Sequence, residues 1–88
     1  MDNITLKDTV NLMLSDDYKE RFKAECLQTK IRYDNLHRMI VKLEAGTLEF
    51  EPKCDITILK HIALNMGEYL HMLEIRAEIE GIDLTWQG

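Results

Sequence analysis

Residues 22–43 read FKAECLQTKIRYDNLHRMIVKL, and this stretch decides the fold. Side chains suited to a helix–helix contact recur in it at alternating steps of four and three, the spacing of a helix that packs along one side. They are Phe22, Cys26, Thr29, Tyr33, Leu36, Ile40 and Leu43. No Gly or Pro interrupts the surrounding segment, so the pattern predicts a helix over residues 16–44, capped by Ser15 and ended by Gly46.

Residues 59–80, LKHIALNMGEYLHMLEIRAEIE, repeat the same spacing. The row is Leu59, Ile62, Met66, Tyr69, Leu73, Arg76 and Glu80. Asp55 precedes the segment as a cap and Gly81 follows it, which predicts a helix over residues 56–80. If the two helices fold back on each other, their rows meet in one register, from Leu43 with Leu59 to Cys26 with Arg76. The sequence therefore predicts a long antiparallel helical hairpin, in which Tyr33 faces Tyr69.

The flanking segments are short. Thr5 caps a predicted short helix over about residues 5–14, and Pro52 marks the loop between the long helices. Residues 81–88 form a tail that is expected to place Ile82, Leu84 and Trp86 on one side if it is extended. A length of 88 residues predicts one all-α domain, and a core this small is often supported by a partner. The short helix offers four apolar side chains, Leu6, Val10, Met13 and Leu14.

Two apolar stripes lie opposite the predicted contact between the long helices. At 100° per residue, one helix places Leu64, Met72, Ile75 and Ile79 together, and the other places Ala24, Leu27 and Ile31 together. A two-helix hairpin has no interior left for them, and the short helix can cover one stripe but hardly both. Because monomers rarely leave such patches open, we expect a homo-oligomer. Its predicted interface is Leu64, Met72, Ile75, Ile79, Leu27 and Ile31.

Several classes of function are disfavoured. Two cysteines, with no secretory leader before them, suggest a reducing compartment such as the cytoplasm, and they lack the spacing of a zinc site. No apolar run is long enough to span a membrane. A net charge of −5 argues against a general duplex-DNA binder. No Ser/His/Asp set, HExxH or glycine-rich phosphate loop is present, so we expect neither an enzyme nor a cofactor.

Positive charge is concentrated in residues 19–42, which hold seven cations and three acids. Arg21 and Arg32 line one flank of the first long helix, and Lys19, Lys23 and Lys30 line the other. These rows could meet the phosphates of a small ligand, with tyrosines stacking on its bases. A solvated, salt-bridged helix face is the alternative. The candidate ligand-binding residues are Tyr18, Lys19, Arg21, Arg32 and Tyr33.

Two further residues, Arg76 and Gly67, stand out because each is unfavourable for stability at its predicted position. Arg76 falls in the predicted contact between the helices, where a guanidinium needs a carboxylate, so a buried ion pair with Glu25 or Glu80 is expected. The alternative is an anion-binding arginine at the open end of the hairpin. Gly67 interrupts a helix, at a cost of about 1 kcal/mol relative to alanine, and predicts the close approach of another helix or of a ligand.

With these motifs placed, the chain resembles a family of small helical phage proteins found in crAss-like and other tailed phages. The stretches that carry the resemblance cover most of residues 16–84. They are residues 18–25 (YKERFKAE), Ile31, Arg32, Tyr33, Leu36, Met39, residues 45–48 (AGTL), Phe50, Pro52, Tyr69, Leu70, Leu73, Glu74 and residues 76–81 (RAEIEG). Cys26 stands where the family pattern leads us to expect an aromatic residue.

The hairpin shape is similar to that of phage anti-defence proteins that form oligomers and sequester cyclic-nucleotide immune signals. The resemblance implies a counter-defence protein that binds such a signal in the host cytoplasm. Two alternatives stay open. One is an anti-CRISPR-like inhibitor of a host defence effector protein, for which the acidic Glu74, Glu78, Glu80 and Asp83 are suited. The other is a phage accessory or assembly protein without a ligand.

Overall fold

A computed structural model describes residues 4–85 of the chain. A 3-10 helix, Leu6–Thr9, leads directly into the short helix α1, Val10–Met13. The long helices are α2, Tyr18–Ala45, and α3, Ile56–Glu80. No strand occurs among residues 4–85. The prediction of an all-α chain with a short N-terminal helix is therefore confirmed.

The ends of α2 are set by one aspartate and one glycine. Asp17 is the N-cap, and its carboxylate accepts a hydrogen bond from the Lys19 backbone N–H at 2.9 Å. The predicted cap at Ser15 is wrong, because the Ser15 hydroxyl accepts from the Asp17 N–H in the turn before the helix. Gly46 ends α2 with φ of +79°, a left-handed conformation that side chains with a Cβ disfavour. The Thr47 N–H then donates to the Lys42 carbonyl at 2.9 Å.

α2 and α3 pack together along their length and run in opposite directions. Near one end, the Tyr18 hydroxyl at the start of α2 donates to Glu80 at the end of α3. Near the other end, Glu44 of α2 pairs with Lys60 of α3. This arrangement brings the beginning of one long helix beside the end of the other.

A small buried cluster holds the two helices together. It consists of Phe22 and Cys26 from α2 with Leu73 and Ala77 from α3, each at most 6% exposed. Ile82 and Leu84 of the tail pack against it, so this end of the helix pair is capped by the chain that follows α3. Trp86 lies outside the described residues.

The face that α3 turns towards α2 differs from the predicted one. Leu70 and Ala77 are buried, whereas Ile62 and Tyr69 are 43% and 48% exposed and Arg76 is also exposed. Steps of three and four fit two neighbouring rows of α3, and both rows contain Leu59, Met66 and Leu73. The row that packs is Leu59, Ala63, Met66, Leu70, Leu73 and Ala77, which buries no charge. The prediction of Ile62, Tyr69 and Arg76 at the contact is therefore wrong.

The N-terminal segment covers a different side of α2. Thr9 is fully buried, donates to the Leu6 carbonyl at 2.7 Å and accepts from the Gln28 amide at 2.8 Å. Ala24 and Leu27 of α2 are buried on this side, at 1% and 3% exposure. Leu27 is thus unavailable to another subunit, which corrects its place in the predicted interface, while Ile31 is half-buried.

The inner residues of the N-terminal segment are not the predicted ones. Ile4 is buried, at 8% exposure, and Thr9 is fully buried, whereas the four apolar residues that the sequence predicts to face inward remain exposed. They are Leu6, Val10, Met13 and Leu14, at 36%, 38%, 45% and 72%. A buried hydroxyl and one amide therefore dock this segment together with the buried Ile4 and the half-buried Leu12.

The Thr9–Gln28 contact is expected to stabilise the fold measurably. Thr9→Val keeps the shape of the side chain but leaves the Gln28 amide and the Leu6 carbonyl without their buried partner. The loss is expected to lower the free energy of unfolding by about 1–3 kcal/mol. Urea unfolding followed by circular dichroism measures it. Thr57→Val, at an exposed position of α3, is the control and should change little; equal effects of the two variants would contradict the docking described here.

The two cysteines are expected to differ sharply in reactivity. Burial, assisted by the negative charge of Glu25, raises the pKa of the Cys26 thiol from 9.0 to about 11, so at pH 8 it stays protonated and enclosed. Cys54 is exposed. Titration with a disulfide reagent at pH 8 should therefore label one thiol per folded chain rapidly, and both in denaturant. Rapid labelling of both thiols in the folded protein would show that the contact between α2 and α3 is open.

Candidate functional site

One flank of the α2–α3 pair carries a row of charged and aromatic side chains from each helix. Tyr18, Arg21, Glu25 and Arg32 follow each other on α2 at steps of three, four and seven, so they share one face. Tyr69, Arg76 and Glu80 share a face of α3 in the same way. We call these seven residues the arginine flank. Glu80 is half-buried and the other six are exposed.

Two hydrogen bonds join the two rows of the arginine flank. The Tyr18 hydroxyl donates to Glu80 Oε1 at 3.2 Å, and the Tyr69 hydroxyl donates to Glu25 Oε2. Each bond fixes a tyrosine by its hydroxyl while about half of the residue stays exposed, 49% for Tyr18 and 48% for Tyr69. An aromatic ring held in this way offers a surface on which a nucleic-acid base can stack at little entropic cost.

Arg76 lies between the two tyrosine–glutamate bonds. Its Nε is 2.7 Å from Glu80 Oε2, and its Cζ is 4.4 Å from the centre of the buried Phe22 ring. The hydrogen bond from Arg76 holds the pKa of the Glu80 carboxyl below its usual range. Half of the Arg76 side chain is open to solvent, so the prediction of a buried pair is wrong. Arg76 pairs with Glu80, while Glu25 accepts from Tyr69 instead.

The other two arginines of the flank keep their charge available. Arg21 Nη1 donates to the Ser15 carbonyl at 2.7 Å, a neutral partner that orients the guanidinium without neutralising it. Arg32 is exposed, and within residues 4–85 no carboxylate lies at ion-pair distance from it or from Arg21. Guanidinium groups of this kind suit the oxygens of phosphates, which they can contact in pairs.

The five predicted ligand-binding residues do not meet in one pocket of this chain. Tyr18, Arg21 and Arg32 share the arginine flank, spread over about 21 Å of helix at 1.5 Å per residue. Lys19 lies on the opposite flank of the helix contact, one turn from Lys23, and its positive charge contributes to lowering the pKa of Glu80. Tyr33 follows Arg32 but turns towards α3, where it lies against Gly67 and lines a groove together with Tyr69.

An open groove lies where Tyr33 reaches α3. It has a volume of about 590 Å³. Its lining residues are Tyr33, Ala63, Leu64, Gly67, Glu68, Tyr69, His71 and Met72, and we call it the Gly67 groove. The Tyr33 ring also stacks on His37, with ring centres 6.0 Å apart and planes 11° from parallel.

Gly67 is what allows Tyr33 to occupy this position. A Cβ atom at residue 67 would lie 3.2 Å from Tyr33 Cε1, closer than side chains normally pack. The close approach predicted from this glycine is thus made by an aromatic side chain. No sequence pattern indicates which residue makes this approach, because the register of the two helices decides it.

The predicted apolar stripe of α3 is open to solvent. Leu64, Met72, Ile75 and Ile79 are 65%, 62%, 40% and 79% exposed, and we call these four residues the outer stripe. Leu64 and Met72 also line the Gly67 groove, so the two surfaces are continuous.

Tyr69 and Arg76 are the residues of the flank that sequence reasoning misplaced. Their spacing of seven, which repeats between Tyr18 and Glu25 and again between Glu25 and Arg32, was the available signal. Interpreted as a helix–helix contact, this spacing predicts that Tyr69 and Arg76 are buried. A surface row has the same spacing, and only the charge of Arg76 argued against burial.

Comparison with known protein families identifies the family of this chain. The family model Sequestin matches residues 16–79, well over half of the 88 residues. The chain belongs to the Sequestin family. The matched region contains the whole arginine flank apart from Glu80, and all residues of the Gly67 groove. No curated protein and no solved structure matches the chain.

Membership of the Sequestin family indicates a sequestering role, that is, a protein that acts by binding. It agrees with the resemblance to proteins that sequester cyclic-nucleotide immune signals. Within residues 4–85, none of the helices is long and apolar enough to cross a membrane.

Proposed function

We propose that this Sequestin-family protein is a phage-type counter-defence protein that sequesters a cyclic-nucleotide immune signal in the host cytoplasm. The observation that carries the proposal is the arginine flank. It places three guanidinium groups beside two tyrosines whose hydroxyls are held by carboxylates. Phosphates and bases are the two chemical features of a cyclic nucleotide, and this surface offers a partner for each.

The strength of such binding follows from the number of charged contacts. A cyclic di- or trinucleotide carries two or three phosphates, and each charge-assisted hydrogen bond contributes about 1.5–3 kcal/mol. Stacking on an aromatic side chain adds about 1–3 kcal/mol per base. Among residues 4–85, Arg32 and Arg21 have no carboxylate to release before they take a phosphate, so their contacts are gained at the least cost. Binding of this kind removes the signal without changing it chemically.

The proposal includes self-association of a hairpin. The two antiparallel long helices form the hairpin, and a second copy covers the outer stripe of α3. The apolar surface of that stripe is contiguous enough to favour association over exposure to water. Half-buried Ile31 adds to the interface only at its margin. Two copies also bring two arginine flanks onto one assembly, which suits a ligand with several phosphates.

Arg32→Glu is expected to weaken binding of the cyclic nucleotide at least tenfold while helicity stays unchanged, because it replaces an exposed cation by an anion. Calorimetric titration with a panel of cyclic mono-, di- and trinucleotides measures the change. Arg38→Glu is the matched control, since it makes the same charge reversal on α2 away from the flank. Binding that is equal in both variants, or absent from the native protein, would overturn the sequestration proposal.

A protein-directed inhibitor of the anti-CRISPR kind is the second candidate function. Glu74 and Glu78 are exposed on α3, and hydrogen bonds from Thr85 hold the pKa of the exposed Asp83 low, so it is ionised. With a net charge of −5, such a surface suits a basic nucleic-acid channel of a host effector. This function predicts competition with nucleic acid for a purified effector and no heat with any nucleotide.

Ile75→Glu is expected to dissociate the oligomer, because it places a charge in the middle of the outer stripe. Light scattering coupled to gel filtration, at micromolar concentration, should show a multiple of 10.3 kDa for the native chain and the single-chain mass for the variant. Ile58→Glu makes the same change at a 53% exposed position near the start of α3, outside the stripe, and should keep the native mass. A native protein of single-chain mass would contradict the prediction.

A further inference from the structure

The Gly67 groove has the dimensions of a small-molecule site. Its volume of about 590 Å³ lies inside the range of about 300–1,000 Å³ that is usual for ligand pockets. Residue 67 is a glycine, which costs about 1 kcal/mol relative to alanine in the middle of a helix, and its missing Cβ lets the Tyr33 ring lie a few tenths of an ångström closer to α3. There the ring becomes one wall of the groove.

The lining of the groove disfavours a phosphate. None of its lining residues is Lys or Arg, and the Glu68 carboxylate would repel an anion. The walls come from Leu64, Met72 and the Tyr33 ring, which together suit a flat, uncharged ring. Glu68 accepts hydrogen bonds only, so it suits a ring that carries an N–H donor at its edge.

The groove and the arginine flank meet at one residue. Tyr69 lines the groove, and its hydroxyl is bonded to Glu25 in the flank. A ligand with a neutral ring at one end and phosphates at the other can therefore occupy both surfaces at once. Neither surface alone matches both ends of such a molecule.

We propose that the Gly67 groove is the base-recognition site of the sequestered nucleotide and selects a base with an exocyclic amino group. Tyr33 and Met72 enclose the base, and the Glu68 carboxylate accepts a hydrogen bond from its amino group. Adenine, guanine and cytosine carry such a group, whereas uracil has a single ring N–H between two carbonyl oxygens, which the Glu68 carboxylate would repel. This inference rests on the function proposed above and adds which part of the ligand this groove reads.

The test compares cyclic di-AMP with cyclic di-UMP, which have the same phosphates and different bases. Calorimetric titration of the native protein should give an affinity at least tenfold higher for cyclic di-AMP. Glu68→Gln should reduce that ratio to near one, because the amide provides a weaker, uncharged acceptor. Glu78→Gln, an exposed glutamate of α3 outside the groove, is the matched control and should keep the native ratio.

Gly67→Ala separates binding from folding. Alanine favours the helix, so the melting temperature should hold or rise, but the new methyl group displaces the Tyr33 ring. Affinity for cyclic di-AMP should fall at least tenfold. Native affinity in Gly67→Ala and a native ratio in Glu68→Gln, with binding lost in Arg32→Glu, would overturn the base-recognition site and leave sequestration standing. A native protein that binds neither compound would overturn the site, while binding of another cyclic nucleotide would still support sequestration.

Discussion

The contact of Phe22 and Cys26 with Leu73 and Ala77 is the constraint on which the surface of this protein depends. It sets how far α2 slides along α3 and which way each helix is turned. With that contact in place, α3 presents Tyr69 and Arg76 to one flank and its outer stripe to the solvent. Rotating α3 by one row would bury the guanidinium and close the flank. A few buried side chains thus determine where every exposed cation of α3 lies.

The core and the arginine flank are linked through one ring. Phe22 belongs to the buried cluster, and its face supports the Arg76 guanidinium from below. Arg76 in turn fixes Glu80, which receives the hydroxyl of Tyr18. Such a chain of contacts is worth little to stability at an exposed position. Its effect is to orient these side chains, so that they lose little conformational entropy when a ligand binds.

Much of the fold was accessible from the sequence because local signals agree with each other. Gly46 and Gly81 end the long helices at left-handed positions, and the stripe of α3 predicted to be left over is exposed. The choice between two rows of α3 was not accessible. Both rows satisfy the same spacing, and the selection depends on whether a guanidinium or a small Ala77 fills the contact. The prediction followed the helical spacing and placed Arg76 in the contact. In the structure, the cost of desolvating its guanidinium selects the row with Ala77 instead.

The candidate site was accessible only in part for a related reason. Tyr18, Arg21 and Arg32 follow from charge and helical spacing within one segment. The groove needs Tyr33 beside Gly67, which are 34 positions apart, and no pattern within either helix reports such a pairing. Glycine signals that something approaches closely, yet it carries no information about the identity of its neighbour.

Leu64 and Met72 belong to two surfaces at once, the wall of the groove and the outer stripe. In the assembly proposed above, a second copy that covers the stripe also covers that wall. Binding of a ligand in the groove and association of the two copies are therefore thermodynamically coupled. Thermodynamic reciprocity requires that each strengthens or weakens the other by the same factor. If that factor is favourable, accumulation of the ligand drives assembly, and assembly in turn slows its escape. The amount of bound ligand would then rise steeply once the protein concentration passes a threshold, and would not follow a simple saturation curve.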